Sequence, residues 1–184
     1  MKTVGVLALQ GDYEAHRKAI EAVGGCAVEV RTAKQMQSCD GLILPGGEST
    51  TMLKLLEMEQ LTQPLRDFAA QKPVFGTCAG AILLAKTVAN PVQASLNLLD
   101  IDVERNGYGR QLDSRIVKLD TGDGEIEAVF IRAPIIHRVG GEARVLATYG
   151  KDPVWVEQGR HMVTTFHPEL SAGSVVHKRF LSKI

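Results

Sequence analysis

Residues 74–80 read Val-Phe-Gly-Thr-Cys-Ala-Gly, which places Cys78 between glycines two positions before it and two positions after it. The apolar pair Val74 and Phe75 predicts a short strand, and the small and apolar residues up to about 85 predict a helix. A nucleophile between two glycines at a strand-to-helix turn is the nucleophile-elbow pattern, with Cys in place of Ser. The helix N-terminus that follows favours a thiolate and the anion formed during attack. The alternative is a buried structural cysteine, which is our interpretation of Cys26 and Cys39.

Strand and helix patterns alternate on both sides of this turn. Strands are predicted at 3–9, 27–30 and 41–44, and helices at 12–23, 51–58 and 62–71. From residue 98 the pattern changes to strands at 101–104, 114–119, 125–131, 145–149, 154–157 and 162–166, with a closing helix at 175–181. The alternation predicts an α/β fold with a mainly parallel sheet, helices on both faces and an antiparallel extension. A length of 184 residues fits one domain over 1–184.

A catalytic thiolate needs a base, and His167 is the candidate among the five histidines because it follows a predicted strand and precedes Pro168 and Glu169. In an extended segment, residues i and i+2 point the same way, and Pro168 biases His167 to extended geometry. Glu169 can therefore orient His167 while His167 faces the cysteine, as in a catalytic triad. A plain turn at this position is the alternative, and the other four histidines are interpreted as hydrogen-bonded structural residues.

A glycine-rich turn follows the predicted strand at 41–44. Its sequence is Pro45-Gly46-Gly47-Glu48-Ser49, and adjacent glycines let backbone amides approach a substrate closely. Such amides suit an oxyanion hole for a tetrahedral intermediate, although the same residues can form an ordinary strand-to-helix turn. In open α/β sheets, ligands bind where strands end at their carboxyl side. The turn at 45–49, the elbow at 76–80 and residues 167–169 are all predicted at such ends.

Composition narrows the classes of function. Lys+Arg and Asp+Glu both number 21, so the zero net charge gives no reason to expect nucleic acid or a membrane as partner. Three cysteines without a secretory signal argue against a disulfide framework, and the absence of metal-ligand spacings from the sequence argues against a metal. The apolar run at 3–9 is stopped by Gln10, Gly11 and Asp12, which favours a strand over a signal peptide. We therefore expect a cytoplasmic protein.

Six segments together resemble the class I glutamine amidotransferases and, within them, the glutaminase subunits of pyridoxal 5′-phosphate synthases. They run in the family's order over nearly the whole chain: LALQGD at 7–12, LPGGESTT at 44–51, GTCAG at 76–80, RNGYGRQ at 105–111, FIRAP at 130–134 and HPEL at 167–170. The resemblance implies a flavodoxin-like three-layer sandwich. It has two local departures: Asn97 stands where the family pattern favours glycine, and residues 171–174 are less polar and charged than usual.

The resemblance also implies the site. Cys78 would be the nucleophile, His167 the base and Glu169 its orienter. The oxyanion hole would use Gly46, Gly47 and Ala79, and the contacts to L-glutamine would come from Gly47, Glu48, Ser49, Arg105, Ile131 and Arg132. The ammonia would pass to a separate synthase subunit in a large hetero-oligomer that makes pyridoxal 5′-phosphate. This chain itself would need no cofactor.

Other functions stay open at this point. A glutaminase of another pathway, such as the imidazole glycerol phosphate branch, is disfavoured by the segments at 105–111 and 131–134. A cysteine-elbow peptidase or chaperone is disfavoured by residues 167–169. A binding subunit without catalytic activity is disfavoured by the complete triad. Taken singly, Arg105 and Arg132 would be interpreted as surface or ion-paired arginines.

Overall fold

Residues 2–107, 114–173 and 175–184 are described by a computed structural model. The strands are β1 (Thr3–Leu7), β2 (Cys26–Val30), β3 (Gly41–Leu44), β4 (Val74–Thr77), β5 (Ala85–Ala89), β6 (Leu99–Glu104), β7 (Arg115–Thr121), β8 (Gly124–Phe130), β9 (Ile135–Val139), β10 (Arg144–Tyr149), β11 (Asp152–Gln158) and β12 (His161–Thr164). The helices are α1 (Tyr13–Ala22), α2 (Ala33–Gln37), α3 (Ser49–Met58), α4 (Thr62–Gln71), α5 (Ala79–Leu84) and α6 (Val175–Leu181), and a 3₁₀ turn covers Pro168–Leu170.

The central sheet has seven strands in the order β10-β11-β12-β4-β3-β1-β2. The five strands from β12 to β2 are parallel, whereas β10 and β11 pair antiparallel at one edge. A three-stranded sheet, β5-β6-β9, and the hairpin β7-β8 lie outside it. The mainly parallel sheet with an antiparallel extension confirms the fold class predicted from the alternation of strands and helices.

Two hydrophobic cores lie on opposite faces of the central sheet, and successive residues of a strand point alternately into one core and the other. In β3, Leu42 and Leu44 belong to one core, whereas Ile43 belongs to the other. The first core is closed by α2, α3, α4 and α5, and the second by α1 and α6. The continuous apolar run of such a strand is therefore explained by burial on both faces.

Most predicted elements are present with small shifts at their ends, and the structure corrects the sequence interpretation at four places. The helix after Cys78 ends at Leu84 and the chain continues directly as β5. Strand β9 and the one-turn helix α2 were not predicted. Helix α3 begins at Ser49, two residues before the predicted start, and Glu48 caps it, because the Glu48 carboxylate accepts from the backbone N–H groups of Thr50 and Thr51.

The parallel strands bring four loops together at their carboxyl ends. The neighbouring strands β12, β4, β3 and β1 all end on this side of the sheet, and they are followed by His167, Cys78, the turn at 45–49 and Gln10. Residues 108–111 of the segment at 105–111, and Ser174, lie outside the described residues. None of the helices in the described ranges is both long enough and apolar enough to cross a membrane.

Candidate active site

Cys78 stands at a sharp turn between β4 and α5. Its backbone has φ 49° and ψ −103°, and its N–H donates to Thr164 O at 2.9 Å. The flanking glycines are required by close backbone approach: a Cβ on Gly76 would lie 2.5 Å from Gly80 O, and one on Gly80 would collide with Leu44 O. The turn is the strained nucleophile elbow that the glycine spacing predicts.

His167 and Glu169 lie at the end of the neighbouring strand. The backbone N–H of His167 donates to Val129 O at 2.8 Å, and its Nδ1 is 2.7 Å from Glu169 Oε1. The other side of the ring faces the nucleophile, since the Cys78 side chain is a hydrogen-bond partner of His167. All three side chains are buried, with residue exposures of 7% for Cys78, 8% for His167 and 9% for Glu169. The structure therefore brings the three predicted residues together in the order nucleophile, base and orienter.

The electrostatics of this trio favour a proton on the imidazole. Burial alone would lower the pKa of His167, but hydrogen bonds to Cys78 and Glu169, together with their negative charges, raise that pKa to about 10. Burial likewise tends to raise the pKa of Glu169, yet His16 and His167 hold it below its usual value. A buried imidazolium between a sulfur and a carboxylate can donate a proton to a leaving group.

The glycine turn lies directly against the triad. A Cβ on Gly46 would meet His167 Cε1 at 2.5 Å and Cys78 Cβ at 3.5 Å, so only glycine leaves the base in place. Gly47 has φ +141°, and a Cβ there would collide with the side-chain amide of Gln10. Ala79, the first residue of α5, is almost fully buried beside the nucleophile. Gly46 and Ala79, two of the three residues predicted for the oxyanion hole, therefore lie beside Cys78, and Gly47 follows Gly46 in the same turn.

Glu48, Ser49 and Arg105 form a connected group beside the turn. The Glu48 carboxylate accepts from Thr50 N and Thr51 N, and hydrogen bonds from Thr51 in particular lower its pKa to about 2. Arg105 Nη2 lies 2.9 Å from Glu48 Oε1, which pairs two of the residues predicted to contact substrate. Ser49 Oγ donates to Gln93 Oε1 at 3.1 Å and is 2% exposed.

Ile131 and Arg132 follow β8 and pass close to the nucleophile. Cys78 Sγ lies 3.8 Å from Ile131 O, a long contact typical of sulfur. Arg132 has φ +46°, an uncommon conformation for a non-glycine residue. It is exposed and has no ion-pair partner among the residues that the structure describes. Its guanidinium is therefore free to take a carboxylate.

Two of the histidines that the sequence interpretation assigned to hydrogen-bonded structural positions lie behind the triad, and their connection to it was not predicted. His16 and His177 are both 0% exposed, and His16 Nε2 lies 3.3 Å from Glu169 Oε2. His16 lies on the buried face of α1, where an imidazole needs a polar partner. In the described ranges, no group of three or more His, Cys, Asp or Glu side chains is arranged to hold a metal ion.

Comparisons with known proteins agree with this geometry. The sequence model of the SNO glutamine amidotransferase family matches residues 6–184. The protein of Solibacter usitatus named pyridoxal 5′-phosphate synthase subunit PdxT is 57% identical, over 100% of both chains, and that of Deinococcus radiodurans, with the same name, is 51% identical over 97% of this chain and 95% of its own. A crystal structure of a glutamine amidotransferase superposes with a TM-score of 0.92 at 43% identity, covering 98% of this chain and 97% of that one. A chain in the structure of PurLQS from Thermotoga maritima shares the fold, with a TM-score of 0.72 at 19% identity over 98% of both chains.

Proposed function

The chain belongs to the SNO glutamine amidotransferase family, and we propose that it is the glutaminase subunit of a pyridoxal 5′-phosphate synthase, acting as one domain over residues 1–184. The observation that carries the catalytic assignment is the position of His167, which lies between the elbow nucleophile Cys78 and the carboxylate of Glu169. This is the geometry that nucleophilic acyl transfer requires.

The reaction releases ammonia from the side-chain amide of L-glutamine. The Cys78 sulfur attacks the amide carbon, and the carbonyl electron pair moves to oxygen. His167 then gives its proton to the nitrogen, which leaves as ammonia and produces a thioester. Water, deprotonated by His167, attacks the thioester and releases L-glutamate with Cys78 restored. Glu169 stays ionised and holds the imidazole in place.

Backbone amides at Gly46, Gly47 and Ala79 are proposed to stabilise the oxyanion of each tetrahedral intermediate. Arg132, which is exposed and without an ion-pair partner in the described part of the chain, suits the α-carboxylate of glutamine. Glu48, held by Arg105, offers negative charge to the α-ammonium. Gly47, Ser49 and Ile131 complete the proposed substrate contacts, and no cofactor takes part.

The ammonia passes, in this proposal, to a separate synthase subunit within a large hetero-oligomer. The existence of a partner is supported by the names of the relatives, which call each of them a subunit of a pyridoxal 5′-phosphate synthase. We assign the protein to the cytoplasm, since all three cysteines are free thiols, which suits a reducing compartment. Equal numbers of basic and acidic residues support neither nucleic acid nor a membrane as a partner.

The test is ammonia release from glutamine by the purified chain, measured alone and with the synthase subunit of a PdxT relative's complex. We expect a low rate alone and a rise of roughly 10²- to 10³-fold with the partner, because one correctly aimed oxyanion donor is worth that much. Gly47 can turn its peptide at low steric cost, since it already has φ +141°. Full activity in the isolated chain would exclude this activation by the partner, and no activity with the partner would exclude the proposed function.

A further inference from the structure

A pair of buried histidines faces the second carboxylate oxygen of Glu169. Glu169 Oε1 is used by His167, whereas Oε2 lies 3.3 Å from His16 Nε2. The same nitrogen of His16 lies 3.1 Å from Thr77 Oγ1, and His16 Nδ1 lies 3.1 Å from His177 Nε2. His16, His177 and Thr77 are all 0% exposed. Thr77 directly precedes the nucleophile, so this group joins the orienter of the triad to the elbow.

The positions of the protons in this group follow from electrostatics. Burial lowers the pKa of His16 and also lowers the pKa of His177, to about 3, so both rings are neutral near pH 7. A neutral imidazole carries one N–H and one lone pair. If His16 carries its proton on Nε2, the N–H dipole points between Glu169 Oε2 and Thr77 Oγ1. His16 Nδ1 then accepts from His177 Nε2–H.

The other tautomer of His16 is disfavoured. It would direct the Nε2 lone pair towards a carboxylate oxygen 3.3 Å away, in a site from which water is excluded. It would also force the proton of His177 onto Nδ1, which has no hydrogen-bond partner among the described residues. A buried N–H without an acceptor carries the full desolvation penalty of that group. Thr77 Oγ1 would gain an acceptor in that tautomer, but one hydroxyl does not offset both penalties.

We propose that His16 is a positioning residue of the glutaminase. As the neutral Nε2–H tautomer, which His177 stabilises, it holds Glu169 against His167 and close to Thr77. This inference rests on the proposed function, because it concerns the same triad. The contact to Glu169 Oε2 is a charge–dipole interaction rather than a linear hydrogen bond, since no donor in the described ranges aims directly at that oxygen. Its effect on catalysis passes through Glu169 and not through contact with glutamine.

The arrangement predicts a pH signature. The charged or titratable groups that face His16 are Glu169, His167, His177 and Asp12. Of these, Glu169 is the one whose ionised form needs the N–H dipole, because burial opposes its charge. Without His16 Nε2–H, the carboxylate takes up a proton at a higher pH and stops orienting His167. The acidic limb of the kcat profile should therefore move to higher pH.

The test compares His16→Leu, His16→Asn and His16→Gln in the complex with the synthase partner. The Gln side chain places its amide N–H near the position of His Nε2 and can reach Glu169, whereas an Asn side chain reaches only the Nδ1 position. We expect His16→Leu and His16→Asn to lower kcat roughly 10- to 100-fold with KM within about twofold, and to shift the acidic limb upward. His16→Gln should restore most of kcat and the limb.

His161→Leu is the matched control, because it removes a different, partly buried imidazole at the opposite end of β4, where His161 Nδ1 accepts from Val74 N at 3.2 Å. Its kcat and pH limb should equal those of the wild type. A uniform loss of kcat in all three His16 variants, without a limb shift and without rescue by Gln, would reduce His16 to a packing role and overturn the proposal. Wild-type kcat in His16→Leu would overturn it as well.

A second measurement does not depend on activity. Long-range ¹H–¹⁵N spectra of the wild-type chain report the tautomer of each histidine, and comparison with the His16→Gln spectrum assigns His16. A neutral Nε2–H form across pH 6–8 supports the proposal, and an Nδ1–H or charged form refutes it. If the wild type releases no ammonia even with its partner, the proposed function fails, while the tautomer still decides on the positioning contact.

Discussion

The backbone of Cys78 is held in a conformation that few non-glycine residues adopt. Its φ of 49° persists because the surroundings fix it: the N–H is bound by Thr164 O, and Gly76 and Gly80 allow backbone approaches that any Cβ would block. The result is a sulfur that stands out from the strand towards His167. At the scale of one residue, backbone strain is what makes a common side chain available as a nucleophile.

Cys78→Ser should abolish ammonia release, by roughly 10³-fold or more, while the protein stays folded. The hydroxyl is nearly isosteric with the thiol, but it is a far poorer nucleophile with a base arranged for sulfur. The assay is glutamine hydrolysis in the complex, with circular dichroism as the check on folding. Cys26→Ser and Cys39→Ser are the controls, and both should keep kcat, although Cys39→Ser places a hydroxyl in a buried site and lowers Tm. Equal loss in three folded variants would contradict the assignment of Cys78 as the nucleophile.

Single residues show where sequence reasoning succeeds and where it stops. The proximity of Cys78, His167 and Glu169 was predictable from local signatures, which are the glycine spacing around Cys78 and the Pro168 restraint between His167 and Glu169. Asn97 departs from the family pattern, and its φ of 53° lies in the left-handed region, which glycine adopts freely and Asn tolerates. The partner of His16 was not predictable, because His177 is 161 positions away and no local pattern joins them.

At the scale of elements, the turn between β3 and α3 has two functions. It starts the helix, since Glu48 caps the first turn, and it leaves room for the base, since Gly46 lies against the ring of His167. The carboxylate that caps α3 is also the one that binds Arg105. Local structure and the proposed substrate contacts therefore depend on the same side chain.

Gly46→Ala should lower kcat by about 10²-fold, because a displacement of the order of 1 Å at a catalytic group has that effect. The new Cβ would lie 2.5 Å from His167 Cε1, so the imidazole must move away from Cys78. Gly141→Ala is the matched control, since a Cβ there meets nothing within 4 Å. The measurement is kcat in the complex, with Tm recorded for both variants. An unchanged kcat for a folded Gly46→Ala would mean that the base has more freedom than the packing allows.

The elements that sequence analysis missed lack the patterns on which it depends. Helix α2 has five residues, which is too short for helical periodicity, and it depends on a capping box between Thr32 and Gln35. Strand β5 follows α5 with no Gly or Pro between them, so nothing in the sequence marks the change. In contrast, β1 and β3 are continuous apolar runs because both of their faces are buried.

At the scale of the whole molecule, the order of the parallel strands assembles the site. Because β12, β4 and β3 are neighbours, His167, Cys78 and Gly46 meet at one edge although they are distant in sequence. The sequence predicted that these loops lie at carboxyl ends, but it did not give the strand order, which depends on long-range pairing. The same close packing buries several histidines around the site, so the stability of the fold should depend on pH.

The free energy of unfolding should fall when the pH is lowered from 7 to 5.5, and His177 should account for part of the fall. The pKa of His177 is about 3 in the folded protein because of burial, whereas an unfolded histidine titrates near 6.5. Between those pH values the unfolded chain binds a proton at His177 that the folded chain does not bind. The contribution of His177 to stability is therefore fully present above about pH 6.5 and is lost as the pH falls towards 3. Between pH 7 and pH 5.5, one such group contributes about 1 kcal/mol to this loss of stability.

Urea unfolding at pH 7 and at pH 5.5 measures the effect, in the wild type and in His177→Leu. The variant should be less stable at pH 7, but it should lose about 1 kcal/mol less between the two pH values. His137→Gln is the control, since the side chain of His137 is 55% exposed. His167, whose raised pKa gives a stabilisation that is complete below 6.5 and is lost as the pH rises towards 10, works in the opposite direction over part of this range, but it titrates alike in both proteins and cancels in the comparison. The same pH dependence in His177→Leu and in the wild type would show that His177 accepts its proton without unfolding, and the buried pair behind Glu169 would then be open to water.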